Sequence, residues 1–97
     1  MDLDRLKEVV SGNESTLRSK FHVASLTVFG SVARGESQEA SDIDFVVEFD
    51  GEYSYAQLLD LVEFLERLLD APVDLLTKGS LTPRLRNKVE AEGLRVA

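Results

Sequence analysis

Cysteine and tryptophan are absent from this 97-residue sequence, methionine and histidine occur once each, and proline occurs twice. Without cysteine no disulfide and no thiolate metal site can form. The one histidine, His22, precedes an apolar stretch and reads as a surface residue rather than a ligand. A surplus of positive charge is also missing: 11 Lys and Arg stand against 18 Asp and Glu, for a formal charge of -7. That balance argues against a general nucleic-acid binder, which needs a basic face to displace counterions from phosphates. No apolar run approaches the roughly 20 residues of a membrane span. Met1-Asp2-Leu3-Asp4 offers neither the basic nor the apolar region of a signal peptide, so a soluble, cytoplasmic protein is expected. The length predicts one domain, 1–97. At 43% hydrophobic and 30% charged residues, the composition is that of a globular chain.

Periodicity places the elements. Leu3, Leu6, Val9 and Val10 recur at helical spacing, with Asp2 or Asp4 as cap. Ser11-Gly12-Asn13 interrupts the pattern, and Asn13 or Ser15 can cap a second short helix carrying Leu17 and Phe21. Val23 to Phe29 reads as a buried strand ending at Gly30. Ser31 to Glu36 reads as a short helix followed by a polar loop, and Ile43 to Phe49 as a second strand. Tyr55, Leu58, Leu59, Val62, Leu65, Leu68 and Leu69 form a stripe that predicts a helix over Ser54 to Asp70. A short strand, Val73 to Leu76, a helix over Leu81 to Glu92 and an edge strand over Leu94 to Val96 complete the chain. Strands alternating with helices predict an α/β (α+β) domain, a mixed sheet flanked by helices.

Two clusters carry chemistry. Asp42 and Asp44 lie two apart on a strand and so share one face, while Ile43, Phe45, Val47 and Phe49 share the other. The apolar set belongs against the core, which turns both carboxylates outward. Parallel carboxylates repel and aspartate is a poor strand former, so folding alone does not ask for them. Divalent ions about 3.5–4 Å apart would turn that repulsion into binding; a strand end fraying into solvent is the plainer reading. Gly30-Ser31 sits between a strand and a predicted helix start. There glycine lets backbone approach a phosphate and the Ser31 hydroxyl can hold it, unless Ser31 is an ordinary cap. Asp74 lies between apolar neighbours and is either an edge aspartate or a third carboxylate, a metal ligand and aid to deprotonating an acceptor hydroxyl. Five basic residues fall in the last twenty positions, including Arg86 and Lys88. They form either a solvated helix face or a contact surface for a partner or an NTP tail.

Gly30-Ser31-Val32-Ala33-Arg34-Gly35 followed by Ser41-Asp42-Ile43-Asp44 matches the G-S-x-A-R-G and S-D-x-D motifs without a mismatch. On those residues the chain resembles the minimal nucleotidyltransferases of the DNA polymerase β-like superfamily. Asp74 falls where that family carries its third carboxylate. The resemblance implies a mixed sheet flanked by helices, two Mg²⁺ held by Asp42, Asp44 and Asp74, and ATP as substrate. It also implies β- and γ-phosphates held by Gly30 and Ser31. Arg34 either meets the triphosphate or braces the loop against a nearby acid. Minimal members resemble antitoxins paired with a HEPN ribonuclease toxin, to whose tyrosine they transfer AMP.

Three functions are therefore weighed: that transfer, a non-catalytic antitoxin acting by occlusion, and nucleotidyl transfer to a small molecule or RNA acceptor. Half of the acceptor site is expected from a partner or from a second copy in a homo-oligomer.

Overall fold

The computed structural model describes residues 1–36 and 42–97. The polar loop after residue 36, with Ser41 of the second motif, lies outside the described residues. The chain opens with α1 (Leu3–Ser11) and α2 (Glu14–Ser19), then β1 (Val23–Phe29) and β2 (Ile43–Phe49). It continues through α3 (Tyr55–Leu69), β3 (Val73–Thr77), a 3-10 turn at Lys78–Ser80, α4 (Pro83–Glu92) and β4 (Leu94–Arg95). The sheet order is β3-β2-β1-β4. β1 runs antiparallel to β2 and β4, and β2 runs parallel to β3, so the sheet is mixed.

Local chemistry fixes the helix ends. The Asp2 side chain accepts from the Asp4 and Arg5 N–H groups and starts α1, while Gly12 and Asn13 separate α1 from α2. Ser54 and Gln57 form a reciprocal capping box at the head of α3. Asp70, in the left-handed region, stops that helix. Such caps are each worth about 1 kcal/mol. Pro83 occupies the first turn of α4, where its missing N–H costs no hydrogen bond.

The α1, α2 and α3 helices bury one face of the sheet. Leu6, Val10, Leu17, Leu26, Val28, Ile43, Phe45, Val47, Leu61 and Leu65 are almost wholly inaccessible there. The α3 stripe differs from the predicted one. Leu61, Leu65 and Leu69, four residues apart, are buried, whereas Tyr55 and Leu59 are exposed. Their apolar neighbours widened the predicted stripe past the arc that the sheet and α1 cover. Tyr53 stacks on Phe49 at 4.6 Å between ring centres, just before the helix.

The other face is sparsely covered. Among the described residues only α4 lies across it, and no residue of α4 is buried. Val46 is an exception to the alternation: it points to this face yet is buried, with Thr27 and Leu76 as its register partners.

Ser31 to Glu36 is not the predicted helix. A single turn forms, with Arg34 N–H donating to the Gly30 carbonyl, and it closes at once. Gly35 N–H donates to Val32 O and Glu36 N–H to Ser31 O, with Gly35 at φ +74°. This is the glycine closure that normally ends a helix, here placed one turn after its start. Among the described residues no helix is long and apolar enough to cross a membrane.

Candidate active site

The β1–β2 hairpin and the β2–β3 pair bring the motif residues to one end of the open face. β1 ends and β2 begins side by side, with Phe29 opposite Asp44. Gly30 therefore leaves the sheet next to Asp44. A β-carbon on Gly30 would collide with Asp44 Oδ2, and the backbone there has φ +77°. Both facts require glycine: the aspartate carboxylate lies where a side chain would begin.

On the other side, Asp44 and Asp74 are register partners on adjacent parallel strands. Residues at one register position share a face, and neighbouring strands lie about 4.8 Å apart. Asp42 precedes β2 and is exposed, as is Asp74, while Asp44 is half-buried. The electrostatics record this grouping. Partial burial raises the Asp44 pKa above its usual value, and the negative charges of Asp74 and then Asp42 push it the same way. Lys88 on α4 and Arg34 oppose the shift.

The oxygen-only, mutually repelling donor set suits a hard divalent cation, which would favour the ionised form of all three acids. The three carboxylates are neighbours rather than a closed cage. Among the described residues no three acidic or imidazole side chains are gathered at metal-binding distance.

Arg34 faces acids. Its Nε donates to Glu36 Oε2 at 2.9 Å, and its Nη1 donates to both oxygens of Glu92 at 3.0 and 2.9 Å. The Glu92 Oε1 also accepts from the Gly30 N–H at 3.1 Å. The Arg34 bonds, foremost, hold the Glu92 carboxyl below the usual range, and the Gly30 bond adds to them. Of the two roles open to Arg34, the bracing contact is the one the structure contains. Ser31 lies in the single turn beyond Gly30.

Sequence reasoning passed over Glu92 as a site residue and named Lys88 only within a basic segment that could contact a partner or an NTP tail. They lie four apart, on one face of a helix whose apolar residues are too few to orient it. The only signal was a carboxylate in the last turn of a helix, against the dipole. Beside this cluster, a cleft of about 660 Å³ lies between α4 and the sheet, with Thr27, Val46 and Glu48 facing Arg86 and Val89.

A family profile described as the nucleotidyltransferase domain matches residues 11–96. The chain belongs to the nucleotidyltransferases. It is similar over 93 residues, at 42% identity, to a candidate protein adenylyltransferase of Methanocaldococcus jannaschii, the match covering 93% of each chain. Protein adenylyltransferase MntA of Thermococcus cleftensis is 36% identical over 92 residues, covering 95% of this chain and 93% of its own length. A solved structure described as a candidate minimal nucleotidyltransferase superposes with a TM-score of 0.82 at 37% identity. That superposition spans 97% of this chain and 95% of the other. The minimal branch is thus the one to which this nucleotidyltransferase belongs. The tri-AMPylated HEPN toxin of Shewanella oneidensis in complex with its MNT antitoxin contains a further match, with a TM-score of 0.67. It covers 94% of this chain and 71% of the matched one, and at 20% identity it speaks for the fold alone.

Proposed function

We propose that this nucleotidyltransferase transfers AMP from ATP to a tyrosine hydroxyl of a HEPN-family ribonuclease toxin and acts as that toxin's antitoxin. The observation that carries the reading is the shared register of Asp44 and Asp74 beside the Gly30 bend that the Asp44 carboxylate overlies. Two likenesses support it: relatives named protein adenylyltransferase, and a shared fold with an antitoxin bound to an AMPylated HEPN toxin.

In this reading Gly30 and Ser31 orient the β- and γ-phosphates. Asp42, Asp44 and Asp74 would hold two Mg²⁺, whose charge, when bound, offsets that of the triphosphate and of the leaving pyrophosphate. Asp74 lies on β3, the edge strand, where an acceptor carried by another chain reaches it without crossing the sheet. There its carboxylate orients the acceptor hydroxyl and takes its proton. The hydroxyl oxygen bonds to the α-phosphorus as the bond to the α,β-bridging oxygen breaks in line, and pyrophosphate leaves with that electron pair.

The test is labelling of a co-purified HEPN partner with α-phosphate-labelled ATP and Mg²⁺, read by mass spectrometry. One AMP mass on a partner tyrosine is expected. Asp44→Asn should reduce it to background while the protein keeps its cooperative thermal transition. Labelling that survives in D44N overturns the metal assignment, and label on RNA or a small molecule moves the acceptor. A D42N/D44N double variant that still neutralises the toxin replaces transfer with occlusion.

A further inference from the structure

The Glu92 carboxylate holds the two groups at the mouth of the site that are best suited to an anion, the Gly30 N–H and the Arg34 guanidinium. Folding supplies little reason for it. Glu92 is the last residue of α4, where the helix dipole opposes a negative charge. The Gly30–Glu36 turn is already closed by three backbone hydrogen bonds and by the Arg34–Glu36 pair. The local charge sum points the same way. Arg34 stands between two carboxylates, so the group carries a net negative charge and has no attraction left for a polyphosphate. β4, paired with β1, begins two residues after Glu92, and Gly93 packs against Thr27, so the backbone at this end of α4 is held to the sheet and the Glu92 side chain is the part that can swing away.

We infer that Glu92 fills an anion subsite that takes a phosphate group of the incoming NTP, so that nucleotide binding displaces the Glu92 carboxylate. The exchange is anion for anion. The Gly30 N–H and the Arg34 Nη1 pass from a carboxylate to phosphate oxygens, and no covalent bond changes. Glu92 thereby acts as an internal competitor that keeps the turn shaped when no nucleotide is present. Because Lys88 lies one helical turn earlier and acts electrostatically on both Asp44 and Glu92, displacement of the Glu92 carboxylate also changes the charge balance around Lys88. The inference rests on the transferase reading only for the identity of the anion.

The experiment uses the full chain, inorganic tripolyphosphate and EDTA, so neither metal nor acceptor enters. Calorimetry gives the affinity, and amide NMR reports the site. In the wild-type protein, tripolyphosphate should shift the amides of Gly30 and of residues 91–93 together. Glu92→Gln keeps the side-chain shape while removing the charge, and should bind about three- to tenfold more tightly, the size expected for losing a charged competitor still in contact with solvent. Glu92→Ala should do the same, and Glu90→Gln, on the exposed side of the same helix, should not. If E92Q binds no better than E90Q, Glu92 is a brace and the inference falls. It falls equally if tripolyphosphate binds none of the proteins or leaves the amides of 91–93 unmoved. The labelling of a partner by wild type and D44N is read separately, so either conclusion can fail without the other.

Discussion

The two faces of the sheet follow different rules. Along β2, Ile43, Phe45 and Val47 are sealed beneath α1 to α3, and successive side chains on the other face are Asp44, Val46 and Glu48. The sealed face removes apolar area from water and stabilises the chain. The open face gathers like charges, a glycine in a left-handed conformation and a helix none of whose residues is fully buried. These features cost stability or contribute none, which is the usual mark of a surface kept for binding. One strand serves both purposes because alternate side chains never compete for the same side.

The sharpest way to break this division is Phe45→Ala. The ring is wholly buried, so about 3–5 kcal/mol of stability should be lost, enough to threaten a domain of this size. Urea unfolding at constant m-value measures it. A loss under about 1 kcal/mol would mean that the helices do not rely on this face.

Gly30→Ala probes the seam between the faces. Its backbone conformation and the collision of the new methyl group with the Asp44 carboxylate should together cost about 1–3 kcal/mol. Unlike F45A, it should also lower transfer activity more than its stability loss explains, because Asp44 is displaced. Full activity in a folded G30A protein would show that the close approach is incidental.

The smallest effect has the opposite sign. The Asp44 carboxyl titrates above its ordinary value of 3.8 in the folded protein, first through partial burial and next through Asp74. The folded state therefore binds more protons than the unfolded one between these two values, so stability falls as pH rises through that window and stays reduced at neutral pH. Asp44→Asn removes the penalty. In metal-free buffer at pH 7 it should be more stable than wild type, by no more than about 1 kcal/mol at this half-buried, solvent-screened site. The gain should vanish below pH 3.8. Thermal unfolding across pH checks it, and a D44N protein less stable at every pH would contradict the sign.

Much of the architecture was legible because it is local or periodic. The capped start of α3, the alternation in β2 and the glycine break between α1 and α2 are written in neighbouring residues. Two local readings failed for identifiable reasons. Ser31 to Glu36 carries helix-compatible residues, but Gly35 supplies the left-handed closure after one turn. Tyr55 and Leu59 continue an apolar stripe, but the arc that α3 presents to the core is set by the sheet and α1, and they fall outside it.

By itself, the sequence determined that Asp44 lies on the face opposite Ile43, Phe45 and Val47 and that Gly30-Ser31 follows a strand, since both depend only on spacing along the chain. Tertiary structure alone decided that Asp74 lies at the register of Asp44, that the Asp44 carboxylate rests on Gly30, and that Glu92 holds Arg34 from 58 residues away. The physical reason is that strand pairing and helix docking minimise the free energy of the whole chain. Contacts between distant residues follow from that global balance, and no short stretch of sequence contains it.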